Sequence, residues 1–332
     1  MVSDLTEHEL CVAALSATEG VGPVTIAALI EVGREHAVPL RDLLALPGDE
    51  LARRTGLPPD AARRAAGLES PSLAGRAVVE RVRRLGADVL PAGRPGYPER
   101  LRELPDRQAP HVLFFRGDGS LLQRPCIAVV GSRRPSRKAR LAADFLAAHQ
   151  AGSGPVVVSG GARGIDAAAH RAALGKGATI VMPALGICGF RWSGIASPGS
   201  AEGRWCVVSA FPPAAPWDAA YALTRNSHIV ALSDAVVAFD PRDRGGTWNS
   251  CMHALRMGRP LFVVTAARRG AKQRGQRRLV RRGAVALDPD CMPDAPAFAR
   301  LVAGYRAPSP PAQDELFDGP SRCRSGERPP AG

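Results

Sequence analysis

The chain has 332 residues, and its 44 Lys and Arg against 31 Asp and Glu give a formal net charge of +13. This balance favours an anionic partner, although a GC-biased genome would also enrich the Arg, Ala, Gly and Pro seen here. The seven cysteines lack the paired spacing of a zinc site, and no apolar run approaches bilayer length, so the sequence predicts a cytoplasmic protein without a metal or membrane partner.

Residues 1–88 are predicted to form a small helical domain. Leu, Ala and Val recur there at helical spacing, with breaks at Gly and Pro. The turn at 19–23 lies between two helical stretches, which is the arrangement of a helix-hairpin-helix (SAM-like) domain. Its glycines allow a tight turn that presents backbone N–H groups to a phosphate. An ordinary helical hairpin in a small bundle explains the same pattern.

Residues 89–305 show the alternation of a parallel α/β sheet. The predicted strands are apolar and β-branched almost throughout, as expected for burial on both faces, and lie at 112–115, 127–130, 156–158, 179–182, 205–208, 235–239 and 261–264. The predicted crossover helices are 137–150, 162–174 and 247–257. The fold class is therefore α/β, a doubly wound, mostly parallel Rossmann-like sheet. Residues 306–332 are rich in Pro, Ser and Gly and are predicted to form a disordered tail.

Ligands of open parallel sheets bind outside the carboxyl ends of the strands, and three loops there carry glycine and basic residues. Glycine permits close backbone approach to an anion, Arg supplies forked donors, and the following helix start favours negative charge. The candidate residues are Gly131, Ser132, Arg133 and Arg134; Ser159, Gly160, Gly161, Arg163 and Gly164; and Gly245, Gly246 and Thr247. One such loop alone is equally a helix-entry turn, with Ser132 as a candidate helix cap, but the three together favour phosphate binding. None of them is a P-loop or a complete dinucleotide fingerprint.

The chain resembles the DprA/Smf family of DNA-processing proteins. The matching segments are 97–101, 112–117, 127–133, 158–170, Arg225-Asn226 and 258–260, and the resemblance covers about residues 10–290. It implies a protein that binds and protects single-stranded DNA, helps to load the RecA recombinase during natural transformation, and dimerises through the Rossmann-like domain. It places Arg225 and Asn226, with the first two glycine loops, at the phosphates. It implies no catalytic residue and no cofactor.

The chain departs from the family pattern in places. Ser227 stands where the family has a second Arg after Asn226, and residues 184–190 and 244–249 are also altered. These departures keep open a sensor that binds a small nucleotide in the same loops. A second alternative is a nucleoside-monophosphate glycosidic hydrolase, which would need a Glu near 245–247. Asn249 occupies that position, and no Glu occurs between Glu202 and Glu315, so we expect a binding protein rather than an enzyme.

Two further segments suggest contacts. Basic residues crowd 268–282, including Arg277 and Arg278, too densely for internal salt bridges, which favours neutralisation of a DNA backbone over a merely solvated helix face. Residues Gln313 to Phe317 resemble the short peptide with which bacterial proteins dock on the replication sliding clamp, but five residues often match by chance, and an unstructured tail is the preferred interpretation.

Overall fold

A computed structural model describes residues 5–192, 203–267 and 269–307. The clamp-like segment 313–317 and all of the predicted tail beyond residue 307 lie outside the described residues, as does Arg268 of the basic segment. Within the described ranges, no helix combines the length and the apolar character needed to cross a bilayer.

In the part of the chain that the structure describes, nine strands form one sheet. They are β1 Asp88–Pro91, β2 Val112–Gly117, β3 Cys126–Gly131, β4 Val156–Ser159, β5 Thr179–Val181, β6 Trp205–Ser209, β7 Ala235–Phe239, β8 Leu261–Val264 and β9 Val285–Leu287. Their order is β1-β2-β6-β5-β4-β3-β7-β8-β9, parallel from β6 to β9 and antiparallel at β1 and β2. The predicted mostly parallel sheet is confirmed; β1 and β9 were not predicted.

The helices lie before the sheet and on both of its faces. They are α1 Glu7–Ala17, α2 Pro23–Glu35, α3 Leu40–Leu44, α4 Gly48–Thr55, α5 Pro59–Ala66, α6 Pro71–Arg84, α7 Glu99–Arg102, α8 Arg137–Gly152, α9 Ile165–Leu174, α10 Ala219–Leu232, α11 Gly246–Arg256, α12 Ala271–Val280 and α13 Ala295–Gly304. Successive strand residues point to opposite faces. Ile127 and Val129 therefore pack with α8, α9 and α13, whereas Ala128 and Val130 pack with α10 and α11.

Helix α8 begins at Arg137 as predicted, but its capping residue and the start of α9 differ from the sequence-based expectation. Ser136 caps α8, because its hydroxyl accepts the Ala139 N–H at 3.2 Å, whereas the Ser132 hydroxyl accepts the Arg134 N–H at 3.1 Å and caps no helix. Helix α9 begins at Ile165 rather than at 162. Gly164 precedes it at φ +88°, a left-handed conformation that a helix interior excludes, so the preceding residues remain a loop.

The N-terminal helices pack on the antiparallel end of the sheet. Leu15 and Leu29 belong to the same hydrophobic cluster as Val89 of β1, Phe114 of β2 and Val207 of β6. The turn between α1 and α2 contains Gly20 at φ +76°. The domain limits 1–88 and 89–305 and the helix-hairpin-helix assignment stay predictions, and the shared cluster shows that the helices and the sheet bury apolar surface against each other.

Candidate nucleic-acid interface

The three strand-end loops meet at one cleft. The cleft has a volume of about 430 Å³ and lies at the carboxyl ends of β3, β4 and β7. Of the predicted residues, it is lined by Gly131, Ser132, Arg133, Arg134, Arg225, Asn226, Gly245, Gly246 and Thr247. A side pocket shares Arg133 and Arg225 with the cleft and adds Gly160, Gly161 and Arg163. We refer to the cleft and the side pocket together as the groove.

Four of the predicted residues lie elsewhere. Ser159 is fully buried, and its hydroxyl donates to the Val129 carbonyl at 2.6 Å. Gly164 lies against the first loop, where a Cβ atom would stand 2.4 Å from the Ser132 carbonyl oxygen. Arg277 and Arg278 are on α12 and line neither part of the groove.

Buried Asp166 occupies the space inside the second loop. Its carboxylate accepts the Ala162 N–H at 3.3 Å and interacts with the Gly160 N–H, so backbone donors predicted to face a phosphate face this side chain. Burial raises the pKa of Asp166, and the nearby charge of Arg225 and these hydrogen bonds oppose that rise. Asp166 thus organises the loop from within.

Arg225 lies beneath the groove floor. It is 7% exposed, its Nη1 donates to the Met182 carbonyl at 2.9 Å, and burial lowers its pKa. The guanidinium fits because residue 160 is glycine: a Cβ atom there would stand 1.4 Å from Nη1. Arg225 therefore supports the groove from below as a fixed side chain with little exposed surface, and it does not project freely into the groove.

We expect Gly160→Ala to lower the free energy of unfolding by about 1–3 kcal/mol, because the added methyl group displaces a buried, hydrogen-bonded guanidinium. Gly246→Ala is the matched control, since the nearest atom to its Cβ position is 4.0 Å away and its φ is ordinary. That variant is expected to stay within about 0.5 kcal/mol of the parent. Chemical denaturation measures both changes, and equal values for the two variants would refute this explanation of Gly160.

The negative charge of Asp240, which directly follows β7, is neutralised by Lys272. Its side chain is fully buried, and it accepts the Ser136 N–H at 2.9 Å, the Thr265 hydroxyl at 2.9 Å and the Lys272 ammonium at 2.5 Å. One carboxylate thus joins the starts of α8 and α12 to the end of β8. The backbone of Asp240 has φ +49°, a left-handed conformation, where the third loop begins.

Asn226 holds the third loop in place. Its Nδ2 donates to the Gly246 carbonyl at 3.2 Å and to Asn249 Oδ1 at 3.1 Å. These bonds fix the first turn of α11 to α10, so that Gly245, Gly246 and Thr247 face the cleft. They also engage Asn249, the residue found where the alternative hydrolase requires a Glu.

The walls of the cleft are basic. Arg133, Arg134, Arg242 and Arg244 line it with exposed side chains, and within the described residues none of these guanidinium groups has a hydrogen bond or an ion pair. The carboxylates that line the described cleft are Asp166 and Asp240, and both already have cationic neighbours. Arg244 lies near Asp243, but that carboxylate already pairs with Arg274, so the cleft presents a net positive charge to solvent.

Sequence reasoning missed the residues at the far end of the side pocket. Arg191 and Trp217 line it, and Trp217 is 55% exposed, so a large aromatic surface lies beside the arginines. The sequence offered one signal for Trp217, which is its position directly before a candidate helix cap. That cap is Asp218, which accepts the N–H groups of Ala220 and Tyr221 at the start of α10.

The basic segment is partly paired, contrary to the expectation that it was too dense for internal salt bridges. Lys272 pairs with Asp240 at 2.5 Å, and Arg274 pairs with Asp243 at 2.9 Å. Such pairs were not predictable from charge density, because their acids lie about thirty residues earlier in the chain. Arg278 stacks over the Trp248 ring, at 4.9 Å from its centroid. Arg277 remains exposed on α12.

The fold and the groove define a class: a doubly wound, Rossmann-like protein with an arginine-lined cleft at the carboxyl edge of its sheet. The sequence pattern of the DNA recombination-mediator protein A family matches residues 88–292, and the chain belongs to this family. The resemblance found in the sequence is thereby confirmed.

Individual relatives agree. DNA processing protein DprA from Bacillus subtilis is 28% identical over 213 residues, which are 63% of this chain and 71% of that protein. The X-ray structure of DprA from Streptococcus pneumoniae shares the fold, with a TM-score of 0.71 and 24% identity, over 91% of this chain and 99% of that one. A Helicobacter pylori DprA structure, described as giving insight into a unique single-stranded DNA binding mode, aligns with a TM-score of 0.55 and 25% identity, over 66% of this chain and 97% of that one.

Proposed function

We propose that this chain binds single-stranded DNA by its sugar-phosphate backbone along the groove. The observation that carries the proposal is the convergence of four unpaired arginines on a cleft whose carboxylates are already neutralised. Guanidinium groups and glycine-exposed backbone form charge-assisted bonds to phosphate oxygens without reading base sequence. The Helicobacter pylori relative, whose structure is described as giving insight into single-stranded DNA binding, supports the same choice.

The size of the cleft favours a single strand over a duplex. Its volume of about 430 Å³ lies in the range of small-ligand sites, about 300–1,000 Å³, and accommodates a nucleotide rather than a double helix. The side pocket continues the groove toward Trp217, where an exposed aromatic ring offers a surface on which an unpaired base can stack. Binding of this kind tolerates any sequence.

Trp217→Ala is expected to weaken oligo(dT) binding by about 1–3 kcal/mol, the usual contribution of one stacked base. Stacking carries no charge, so the slope of affinity against salt concentration is expected to stay unchanged. Trp217→Phe is the control, because it keeps an aromatic face and is expected to retain most of the affinity. Fluorescence anisotropy across salt concentrations measures both quantities; an altered salt slope in Trp217→Ala would contradict a stacking role.

Family membership extends the proposal to what happens to the bound strand. We propose that the protein protects the strand and helps to load RecA onto it, acting in the cytoplasm as a dimer through the Rossmann-like domain and without catalysis of its own. The test is RecA filament formation on DNA coated with single-strand binding protein, with and without this protein. Faster filament formation is expected, and an unchanged rate would refute the loading role.

A small-nucleotide sensor is the second candidate, favoured by the nucleotide-sized cleft and by the departures from the family pattern at 244–249. Oligo(dT) binding across salt concentrations, beside thermal-shift measurements with mononucleotides, separates the two. We expect salt-sensitive oligonucleotide binding and little stabilisation by mononucleotides. Strong stabilisation by a mononucleotide without oligonucleotide binding would establish the sensor instead.

A further inference from the structure

A second basic depression lies next to the groove, on the face formed by α8 and α9. It has a volume of about 610 Å³ and is lined by Arg137, Arg140, Arg163 and Arg171, which we call the arginine patch. All four side chains are exposed, and in the described parts of the chain none of them has a hydrogen bond or an ion pair. This patch is separate from the predicted basic segment on α12.

The charge of the patch is not balanced locally. Half-buried Asp144 lies close enough to Arg171 and Arg140 for their charges to oppose the rise in its pKa that burial causes. Lys138, the other base in the first turn of α8, is paired with Asp290 and so does not add to the patch. Asp144 thus offsets part of the charge of two of the four arginines, no carboxylate is among the described residues that line the depression, and the depression attracts an anion.

Arg163 connects the patch to the groove. It lines both the side pocket and the arginine patch, and the loop from Arg133 to Pro135 separates the patch from the cleft. A chain of phosphates that leaves the side pocket past Arg163 thus meets Arg137, Arg140 and Arg171 without crossing an acidic surface. A site for a separate small anion would not need to be continuous with the groove.

We propose that the arginine patch binds phosphates of the same single strand after it leaves the groove, which lengthens the binding site over α8 and α9. This inference rests on the proposed function of the groove. Each guanidinium presents forked donors that match phosphate oxygens, and each phosphate neutralised releases a counterion. The patch therefore adds affinity for long strands, whereas a short strand held in the groove does not reach it.

The test compares oligo(dT) of about 6 nucleotides with oligo(dT) of about 30, lengths chosen around the usual site sizes of single-strand grooves. The variant is Arg137→Gln/Arg140→Gln/Arg171→Gln, which leaves the shared Arg163 in place. The control is Arg76→Gln/Arg81→Gln/Arg84→Gln, which removes the same charge from exposed positions on α6. Anisotropy titrations at several salt concentrations give the affinity and the salt slope for each length.

For the long strand, we expect the patch variant to lose about tenfold or more in affinity at low salt and its salt slope to fall by about 2, or about 0.7 for each lost phosphate contact. The short strand and the control variant are expected to stay within about twofold of the parent, since no patch contact is lost. Equal losses for both lengths, or no loss for either, would overturn the proposal. If the patch binds an acidic protein instead of DNA, the patch variant will keep the parent's affinity for both strand lengths. If the parent protein binds neither strand, the proposed function of the groove itself is refuted.

Discussion

Arg225→Ala is expected to lower the free energy of unfolding by about 3 kcal/mol, because it leaves the buried Asp166 carboxylate without its cationic neighbour. The variant also loses the hydrogen bond to the Met182 carbonyl. With Arg225 gone, the pKa of Asp166 rises further above its ordinary value. Since protonation removes the buried charge, the deficit is largest at neutral pH and shrinks as the pH falls through that raised pKa. Urea denaturation from neutral to acidic pH measures it.

Asp166→Asn in the Arg225→Ala background is the matched control. The amide keeps the shape of the carboxyl group but carries no charge, so the double variant is expected to recover part of the lost stability and to lose the pH dependence of the deficit. A double variant less stable than Arg225→Ala, or a deficit that grows toward acidic pH, would show that Arg225 does not act through Asp166.

Arg133→Gln/Arg244→Gln removes one unpaired guanidinium from each of two loops that line the cleft. We expect the affinity for oligo(dT) to fall about tenfold or more at low salt, and the salt slope to fall by about 1.4, since each lost phosphate contact contributes about 0.7. The unfolding free energy is expected to stay within about 0.5 kcal/mol of the parent, because both side chains are exposed. Anisotropy titrations and urea denaturation measure these quantities.

The control for this pair is Arg76→Gln/Arg81→Gln, which lowers the net charge equally at exposed sites on α6. If the net positive charge alone determined binding, both double variants would weaken binding equally. The proposed site requires that only Arg133→Gln/Arg244→Gln has the large effect. An unchanged salt slope in Arg133→Gln/Arg244→Gln would mean that these arginines do not contact phosphates.

The sequence was sufficient to predict the central strands and the loops that follow them. Runs such as 235–239 are apolar at every position, which is typical of a strand buried on both faces. The parallel arrangement then brings Gly131, Arg133 and Gly245 to one edge. Strands β1 and β9 escaped prediction because they are three or four residues long and lie at the ends of the sheet, where the apolar signal is weak.

The interior of the site was not predictable, because it depends on long-range contacts. Helix α10 carries Arg225, Asn226 and His228 on buried positions, and this polar run hides the apolar periodicity of a helix. The filling of the second loop by Asp166 and the pairing of Lys272 with Asp240 join residues whose proximity only the folded chain reveals. Local spacing identified the loops but not which of their donors were already used.

Hydrogen–deuterium exchange with and without oligo(dT) shows whether the backbone of three separate loops contacts one DNA strand. Slower exchange is predicted together at residues 131–137, 159–164 and 240–247, with helices α4 and α5 unchanged. Protection confined to α12 or to the turn between α1 and α2, with none at the three loops, would mean that the strand does not bind in the groove.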